Sequence, residues 1–359
     1  MKTLLDSLYI AWIIGTKDIL DALKNKNSRS NIIIMVGMVV FFYWMGILRP
    51  FDKSVSVVVY DKGDTTLTIE AVTLADGTKY AFREASSPQE VETKMAYQNL
   101  GLVLPVDFDQ TLASGGTPTL SGYIFWADRL KVTELEAKYS QAFSEILGQP
   151  VRVAIGENIL IPQANADGMQ TNVTYLMIYF VFSTALLLIP YLMVEEKQTR
   201  TLDALLTSPA SPGQIVLGKA LAGFFYILII GGLALALFSL YIVNWALALA
   251  AFLGYALFAI GLGLAVGSFI KTMKQSGIWM VVLILFLVIP PLFYMEPNLK
   301  AGIRMVLTWF PSSALASIFR YSCSIGFTPA QFLPNLAIAL VSIAAVFGLV
   351  IWKVRRSDH

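Results

Sequence analysis

The chain has 359 residues, of which 56% are hydrophobic and only 14% are charged. Soluble domains carry roughly 25% charged residues, and they do not bury several uncharged runs that are long enough to cross a bilayer. The composition therefore excludes a soluble globular protein and predicts an integral membrane protein. A single cysteine, Cys323, excludes an internal disulfide, and a single histidine, His359, excludes a metal site of His and Cys ligands.

The charges are unevenly distributed along the chain. Residues 49–171 carry 10 basic and 16 acidic side chains, a net charge of −6, whereas the rest carries 16 basic and 8 acidic side chains, net +8. Together with the hydropathy pattern, this predicts an α-helical polytopic membrane protein with six transmembrane helices. It also predicts an amphipathic helix at the N-terminus and an α/β domain inserted at 49–171.

Residues 1–29 predict an amphipathic helix in the membrane interface, because large apolar side chains recur on one stripe. The stripe consists of Leu4, Leu8, Trp12, Ile19 and Leu23. A cytosolic helix is the alternative. Residues 30–48 predict the first transmembrane helix, with an uncharged run over Asn31–Leu48 and Trp44 as its interfacial anchor.

Residues 49–171 predict a soluble α/β domain. Strand-like alternation is seen at 54–60 and 119–126, helices are expected at 88–99 and up to Leu147, and a hairpin is expected at 66–82 around Asp76 and Gly77. Thr133 and Glu136 have capping-box spacing. Asp107 and Asp109 fit a helix start better than a metal site, because an isolated pair supplies too few oxygens. The domain shows no catalytic constellation.

Residues 172–359 predict the second to sixth transmembrane helices and an outer segment, 297–332, of interfacial or re-entrant helices. The spacing of Gly263 and Gly267 favours close helix packing, and Pro290-Pro291 are expected to break the fifth helix. The five predicted spans are Asn172–Val194, Ala220–Val243, Ala246–Ile270, Ser276–Met295 and Leu336–Trp352.

A polar segment, 195–219, separates two of these spans. Leu202, Leu205 and Leu206 recur at helical spacing, and Ser211, followed by Pro212 and Gln214, predicts a capping box at the start of the next helix. A helix, a break and a helix in this order either connect two spans or present a surface to a cytosolic partner.

The same segment resembles the signature loop of the type-2 ABC transporter permeases. The resemblance lies in Glu195-Glu196-Lys197, in the run 201–209 and in Gly218-Lys219, with departures at Arg200 and Asp203. It implies a coupling helix that docks on a separate ATP-binding subunit. The docking residues it implies are Glu195, Glu196, Arg200, Leu202, Leu205 and Leu206.

Residues 213–220 satisfy most of the phosphate-loop pattern, but three features argue against nucleotide binding. Ala220 replaces the hydroxyl that would bind Mg²⁺, no strand precedes the segment, and the segment continues into a membrane helix. We therefore expect no cofactor in this chain, and we expect ATP and Mg²⁺ to be bound by a partner subunit.

The positive-inside rule predicts the orientation. The segments assigned to the inner side hold 13 Lys and Arg residues, against three in the short outer segments. Both termini are expected in the cytosol, with 49–171 outside the plasma (inner) membrane of a prokaryotic cell.

The resemblance implies the permease subunit of an ATP-driven ABC exporter of an amphipathic, lipidic, drug-like or peptide substrate. Its expected partners are a cytosolic ATPase, a second permease (identical or different) and membrane lipids, but no nucleic acid. The alternative is a membrane-anchored sensor or scaffold that binds a ligand without translocation. An ion-coupled carrier is disfavoured because the span interiors lack charged residues, although uncharged spans are also simply easy to insert.

Aromatic residues in the second and fifth spans are candidates for the lining of a translocation path, because such side chains adapt to varied apolar shapes. The candidates are Tyr175, Tyr179, Phe286 and Phe293. The alternative is that each of these residues faces lipid.

Overall fold

The computed structural model describes residues 2–45, 54–63, 71–95, 98–164, 168–198, 210–270, 273–296 and 299–356. The chain divides into two compact units. A helical unit comprises Met1–Trp44, Thr171–Ser322 and Phe327–His359, and a sheet unit comprises Met45–Gln170 and Cys323–Gly326.

The α-helices of the described residues are numbered in chain order. They are α1 (Lys2–Lys24), α2 (Lys26–Tyr43), α3 (Pro88–Lys94), α4 (Phe108–Ala113), α5 (Val132–Leu147), α6 (Met169–Gln198), α7 (Pro212–Leu237), α8 (Trp245–Phe269), α9 (Met273–Tyr294), α10 (Ala301–Thr308), α11 (Pro311–Ser322) and α12 (Pro329–Arg356). Helices α3 to α5 belong to the sheet unit, and the others belong to the helical unit.

Five helices of the described part are long and apolar enough to cross a membrane, namely α6, α7, α8, α9 and α12. The protein is therefore a polytopic membrane protein. The first predicted span differs, because the apolar part of α2, Ser28–Tyr43, is shorter than a full span. Helix α2 also begins at Lys26, before the uncharged run starts. Hydropathy marks the apolar stretch of a helix rather than its ends, and residues 46–48 of the predicted span lie outside the described residues.

The prediction that Pro290-Pro291 break the fifth span is wrong. Helix α9 continues through both prolines and ends at Tyr294. A proline removes one backbone donor, but in a membrane helix neighbouring groups and local adjustments of the backbone compensate for that loss.

The helices of the helical unit differ widely in burial. In the most apolar 18 residues of each helix, 83% of the residues are buried in α6, compared with 22% in α9 and 17% in α12. The predicted close packing at Gly263 and Gly267 is confirmed, since a Cβ atom at either position would lie 2.8–2.9 Å from the backbone oxygen of Ala185 or Pro190 in α6. Helix α6 thus forms the centre of the unit and α9 and α12 its periphery.

The segment predicted at 297–332 contains two helices of opposite character. The side chains of α10 are mostly exposed, whereas Ser312–Phe319 in α11 are buried without interruption. Residues 297 and 298 lie outside the described residues.

The sheet unit contains a mixed sheet. Its strands are β1 (Ser54–Asp61), β2 (Val72–Thr73), β3 (Lys79–Ala85), β4 (Leu100–Leu104), β5 (Thr119–Phe125), β6 (Arg152–Ala154) and β7 (Ile159–Leu160). Their order is β2-β3-β1-β4-β5-β6, with β7 paired to one end of β5. Strand β1 runs parallel to both neighbours. Strands β2 and β3 form a hairpin around Asp76 and Gly77 as predicted, with Gly77 at a φ of 83° in its turn, and residues 66–70 of the predicted hairpin lie outside the described residues.

The sheet carries an apolar layer on each face. On one face, α5 packs through Tyr139 and Phe143 against Val57 and Leu102. On the other face, α3 contributes Val91 to a smaller cluster with Val58 and Val103. Central strand β1 is therefore apolar at successive positions rather than at alternate ones, as expected for a strand covered on both sides.

The predicted capping box at Thr133 is wrong. Helix α5 starts at Val132, two residues earlier than a cap at Thr133 requires, and its N-cap residue Lys131 makes no side-chain cap. Glu136 instead accepts hydrogen bonds from the amides of Ile155 (2.7 Å) and Gly156 (3.0 Å) after β6. These bonds lower the pKa of Glu136, since they favour its charged form.

Candidate functional site

Helix α1 crosses α7 at two glycines. A Cβ atom at Gly218 would lie 2.7 Å from Cβ of Ile14 and 2.8 Å from the carbonyl oxygen of Ala11. One at Gly15 would lie 2.9 Å from the carbonyl oxygen of Gly218. The backbones of the two helices therefore approach each other as closely as only glycine allows.

The crossing buries one face of α1 and leaves most of the large apolar side chains of this helix outside. Ala11, Ile14 and Ala22 are buried, whereas Leu8 and Trp12 are 49% and 59% exposed. An exposed apolar stripe beside a polar face is the pattern of a helix that lies in a membrane interface.

A cluster of four charged side chains lies beside this crossing. The charge cluster consists of Lys17 and Asp18 of α1, Glu196 of α6 and Lys219 of α7. The Lys219 ammonium lies 2.6 Å from the carboxylate of Glu196 and 3.3 Å from that of Asp18. It also donates a hydrogen bond of 2.9 Å to the carbonyl oxygen of Leu192.

The charge cluster is almost entirely removed from water. The Lys219 side chain is 0% exposed, and those of Asp18 and Glu196 are 6% and 7% exposed. Burial raises the pKa of the Asp18 carboxyl, while the Lys219 ammonium acts in the opposite direction. Lys17, whose side chain is half exposed, lies 3.7 Å from Glu196 and balances the second carboxylate.

Buried ions cost several kcal/mol each unless partners compensate them. Here two cations face two anions, and their mutual attraction offsets the desolvation. The charge cluster therefore holds α1, the last turns of α6 and the first turns of α7 in one arrangement.

Two further contacts order the same region. The amine of Lys197 donates to the carbonyl oxygens of Gly267, Ser268 and Ile270, at 2.9, 2.5 and 3.2 Å, and so caps the C-terminus of α8. The predicted capping box at Ser211 is confirmed, and the side-chain amide of Gln214 also donates to the hydroxyl of Ser7 in α1 at 2.9 Å.

These contacts surround both ends of the segment that resembles a coupling loop. Of the predicted docking residues, Arg200, Leu202, Leu205 and Leu206 lie outside the described residues, and the Glu195 side chain is not described. Glu196 directs its carboxylate to Lys219 within the chain. Docking by this segment stays a prediction, and the structure gives Glu196 an internal contact as well.

Asp18 and Lys219 were not among the predicted site residues. Asp18 falls on the buried face of α1, with Ala11, Ile14 and Ala22 at helical spacing, and Lys219 lies among apolar residues of α7. A lone charge on an otherwise apolar helix face was the available signal, because such a residue needs a buried partner.

The predicted path residues are only partly brought together. The Tyr175 hydroxyl donates to the carbonyl oxygen of Leu292 in α9, at 3.1 Å. Tyr179 packs beside Phe42 of α2, with ring centroids 6.2 Å apart. Phe286 and Phe293 of α9 are both 56% exposed. Thus Tyr175 joins α6 to α9, Tyr179 lies toward α2, and the two phenylalanines face outward from the chain.

The sheet unit places Asp107 and Asp109 at the start of α4, as the sequence predicts. Among the residues that the structure describes, no three His, Cys, Asp or Glu side chains are grouped to hold a metal ion.

Comparison with known proteins places most of the chain in one family. The model of a family described as "ABC-2 family transporter protein" matches residues 31–352. No curated protein matches the chain.

Proposed function

Because the chain belongs to the ABC-2 family of transporter proteins, we propose that it is the membrane permease of an ATP-driven exporter. A separate cytosolic ABC subunit binds ATP and Mg²⁺ and hydrolyses the ATP. The observation that carries the proposal is the charge cluster, because it ties both ends of the segment 199–209 to α1 through buried ions.

In this proposal, the segment 199–209 docks on the ATPase through Arg200 and the apolar stripe Leu202, Leu205 and Leu206. Glu195 belongs to the same docking surface, and Glu196 anchors the preceding turn through Lys219. When the ATPase moves the segment, the ends of α6 and α7 move with it. Because α1 is joined to both by the charge cluster, the displacement reaches the interfacial helix as well.

The proposed layout has six membrane crossings. Helix α2 and residues 46–48 form the first crossing, and both termini lie in the cytosol. This orientation follows from the Lys and Arg residues in the segments before α2, between α6 and α7 and after α12. The sheet unit then lies outside the cell, where it guides or gates the substrate.

A second permease, identical or different, completes the proposed assembly. The exposed face of α9, with Phe286 and Phe293, supports this part, because a wide apolar face suits either lipid or another helix. Tyr175 joins α6 to α9, and Tyr179, one turn later, lies toward α2. Substrates of amphipathic, lipidic, drug-like or peptide character fit a path lined by such residues.

The proposal is tested by purification of the tagged full chain from its own membrane. We expect a stoichiometric ABC ATPase, and we expect its ATP hydrolysis to change when it is reconstituted with the chain. The double variant Leu205→Asp/Leu206→Asp should lower ATPase recovery at least tenfold. Leu130→Asp, at a 76% exposed position of the sheet unit, is the matched control. Recovery of the chain without any ATPase would favour a ligand-binding sensor or scaffold instead.

A further inference from the structure

A cavity of about 520 Å³ opens between the first turns of α2 and the last turns of α6. Its lining is divided by chemistry. Ser28, Ser30 and Asn31 of α2 and Tyr191 and Gln198 of α6 supply hydroxyl and amide groups, and Leu187 and Leu188 supply the apolar part.

Three basic residues lie close in the chain to the polar part of this lining. Lys24 ends α1, and Lys26 and Arg29 lie in the first turn of α2, all three exposed to solvent. The segment 22–31 carries no acidic residue. Among the described side chains of α6, the acidic one is Glu196, and its carboxylate is paired with Lys219. The chain therefore places three exposed basic residues within a few positions of the hydroxyl and amide groups of the lining, with Asp21 as the preceding acid.

The cavity walls are held in place by internal contacts. The side-chain amide of Asn25 donates to the Tyr191 hydroxyl at 2.7 Å and ties the turn between α1 and α2 to α6. Ser28 is only 7% exposed although it lines the cavity. A site with fixed walls can bind a ligand without first being ordered, which lowers the entropic cost of binding.

The apolar part indicates what kind of ligand fits. A soluble anion would use the cations and hydroxyls but would gain nothing from Leu187 and Leu188, which lie about one turn before Tyr191 and about three turns before Gln198 in α6. A phospholipid presents a phosphate and, next to it, acyl chains in the same order as the two parts of the lining. Basic pockets between membrane helices on the cytosolic side are known to hold anionic headgroups for this reason.

We propose that this cavity binds the phosphate-bearing headgroup of an anionic phospholipid from the cytosolic leaflet. The phosphate lies by Lys26 and Arg29 and accepts hydrogen bonds from Ser28 and Asn31, and the acyl chains lie along Leu187. The inference rests on the proposed orientation, which puts this end of α2 and α6 at the cytosolic leaflet. The cavity lies between α2 and α6, and Asn25 ties the turn between α1 and α2 to α6 beside it. A lipid bound there therefore supports the arrangement that the charge cluster maintains.

The test is equilibrium binding of phosphatidylglycerol with a fluorescent acyl chain to the purified full chain in neutral detergent. Lys26→Gln/Arg29→Gln should weaken binding at least tenfold, since each cation near an anionic headgroup contributes on the order of 1 kcal/mol, a factor of about five. Ser28→Leu, which fills the cavity without a change of charge, should weaken binding similarly. Asn31→Leu, at an exposed position of the lining, provides a second filling variant if Ser28→Leu fails to fold.

The matched control is Arg355→Gln/Arg356→Gln, which removes two exposed cations from the end of α12. It should change the affinity less than twofold. An equal loss in the control would show general attraction between charges and would overturn the site. Unchanged binding in the folded cavity-filling variants would overturn it too.

Three competitors distinguish an anionic phospholipid headgroup from a soluble phosphate. Unlabelled phosphatidylglycerol should displace the probe, whereas inorganic phosphate at 50 mM and phosphatidylcholine should not. Displacement by inorganic phosphate would assign the cavity to a soluble anion and refute the lipid. None of these measurements involves the ATPase, so their failure would leave the proposed function intact and can be told apart from its failure.

Discussion

Replacement of Lys219 by methionine tests the charge cluster directly. Methionine keeps most of the length of the side chain and removes the ammonium, so Asp18 and Glu196 lose the cation that lies 3.3 and 2.6 Å from them. Both carboxylates are nine-tenths buried and would face each other without that cation. Removal of one partner from a buried ion pair costs about 3–5 kcal/mol, because the remaining charge is left without compensation. We expect Lys219→Met to reduce the free energy of unfolding by that amount.

A nearby lysine provides the matched control. Lys17 undergoes the same chemical change in Lys17→Met, but its side chain is half exposed and lies 3.7 Å from Glu196. Water compensates for most of its loss, so the expected cost is below about 1 kcal/mol. Both variants are compared by tryptophan fluorescence during unfolding in mixed micelles at pH 7.

A compensating variant separates charge from packing. Asp18→Asn/Glu196→Gln/Lys219→Met removes all three buried charges, so it should recover most of the stability that Lys219→Met loses, because no ion is then left unpaired. Equal stability of Lys219→Met and Lys17→Met would refute the reasoning. Failure of the triple variant to recover any stability would show that the size and shape of Lys219 matter rather than its charge.

Three further predictions follow from other contacts. Gly218→Ala should separate α1 from α7 and reduce stimulation of the ATPase severalfold. The control Gly213→Ala, where a Cβ meets nothing within 4 Å, should leave the stimulation unchanged. Equal stimulation by the two variants would contradict the close crossing. Glu136 has a lowered pKa, so its stabilisation is complete above the unfolded value of about 4.3 and is lost as the pH falls through the folded value. We therefore expect Glu136→Gln to reduce the loss of unfolding free energy at acid pH. The measurement is urea unfolding of the isolated sheet unit, which we expect to fold alone, at a series of pH values. An unchanged loss would show that this carboxylate does not cause it. Single cysteines at Phe286 and Phe293, with the native cysteine replaced, should cross-link two permeases in membranes. If these cysteines react only with a thiol reagent dissolved in the lipid and form no cross-link, this interface is excluded.

The helices and the class of protein could be predicted from the sequence because their causes are local. Uncharged runs predict α6 to α9 and α12, since the bilayer requires long apolar helices. Ser211 caps α7 as predicted, because an N-cap depends only on the next three residues. Gly263 and Gly267 were assigned to close packing from their spacing alone. The prolines of α9 and the cap at Thr133 were mispredicted, because the surrounding structure overrode local preferences there.

The partners of the charged side chains were decided only by the tertiary structure. Asp18 and Lys219 are 201 residues apart in the chain and meet because small residues let α1 and α7 cross closely. Glu136 reaches two amides 19 and 20 residues away rather than its own helix start. The sequence assigned Glu196 to an outward surface, and the structure directs its carboxylate inward. An ion pair depends on which faces of two helices meet, and that choice is made by the packing of the whole chain rather than by any local pattern.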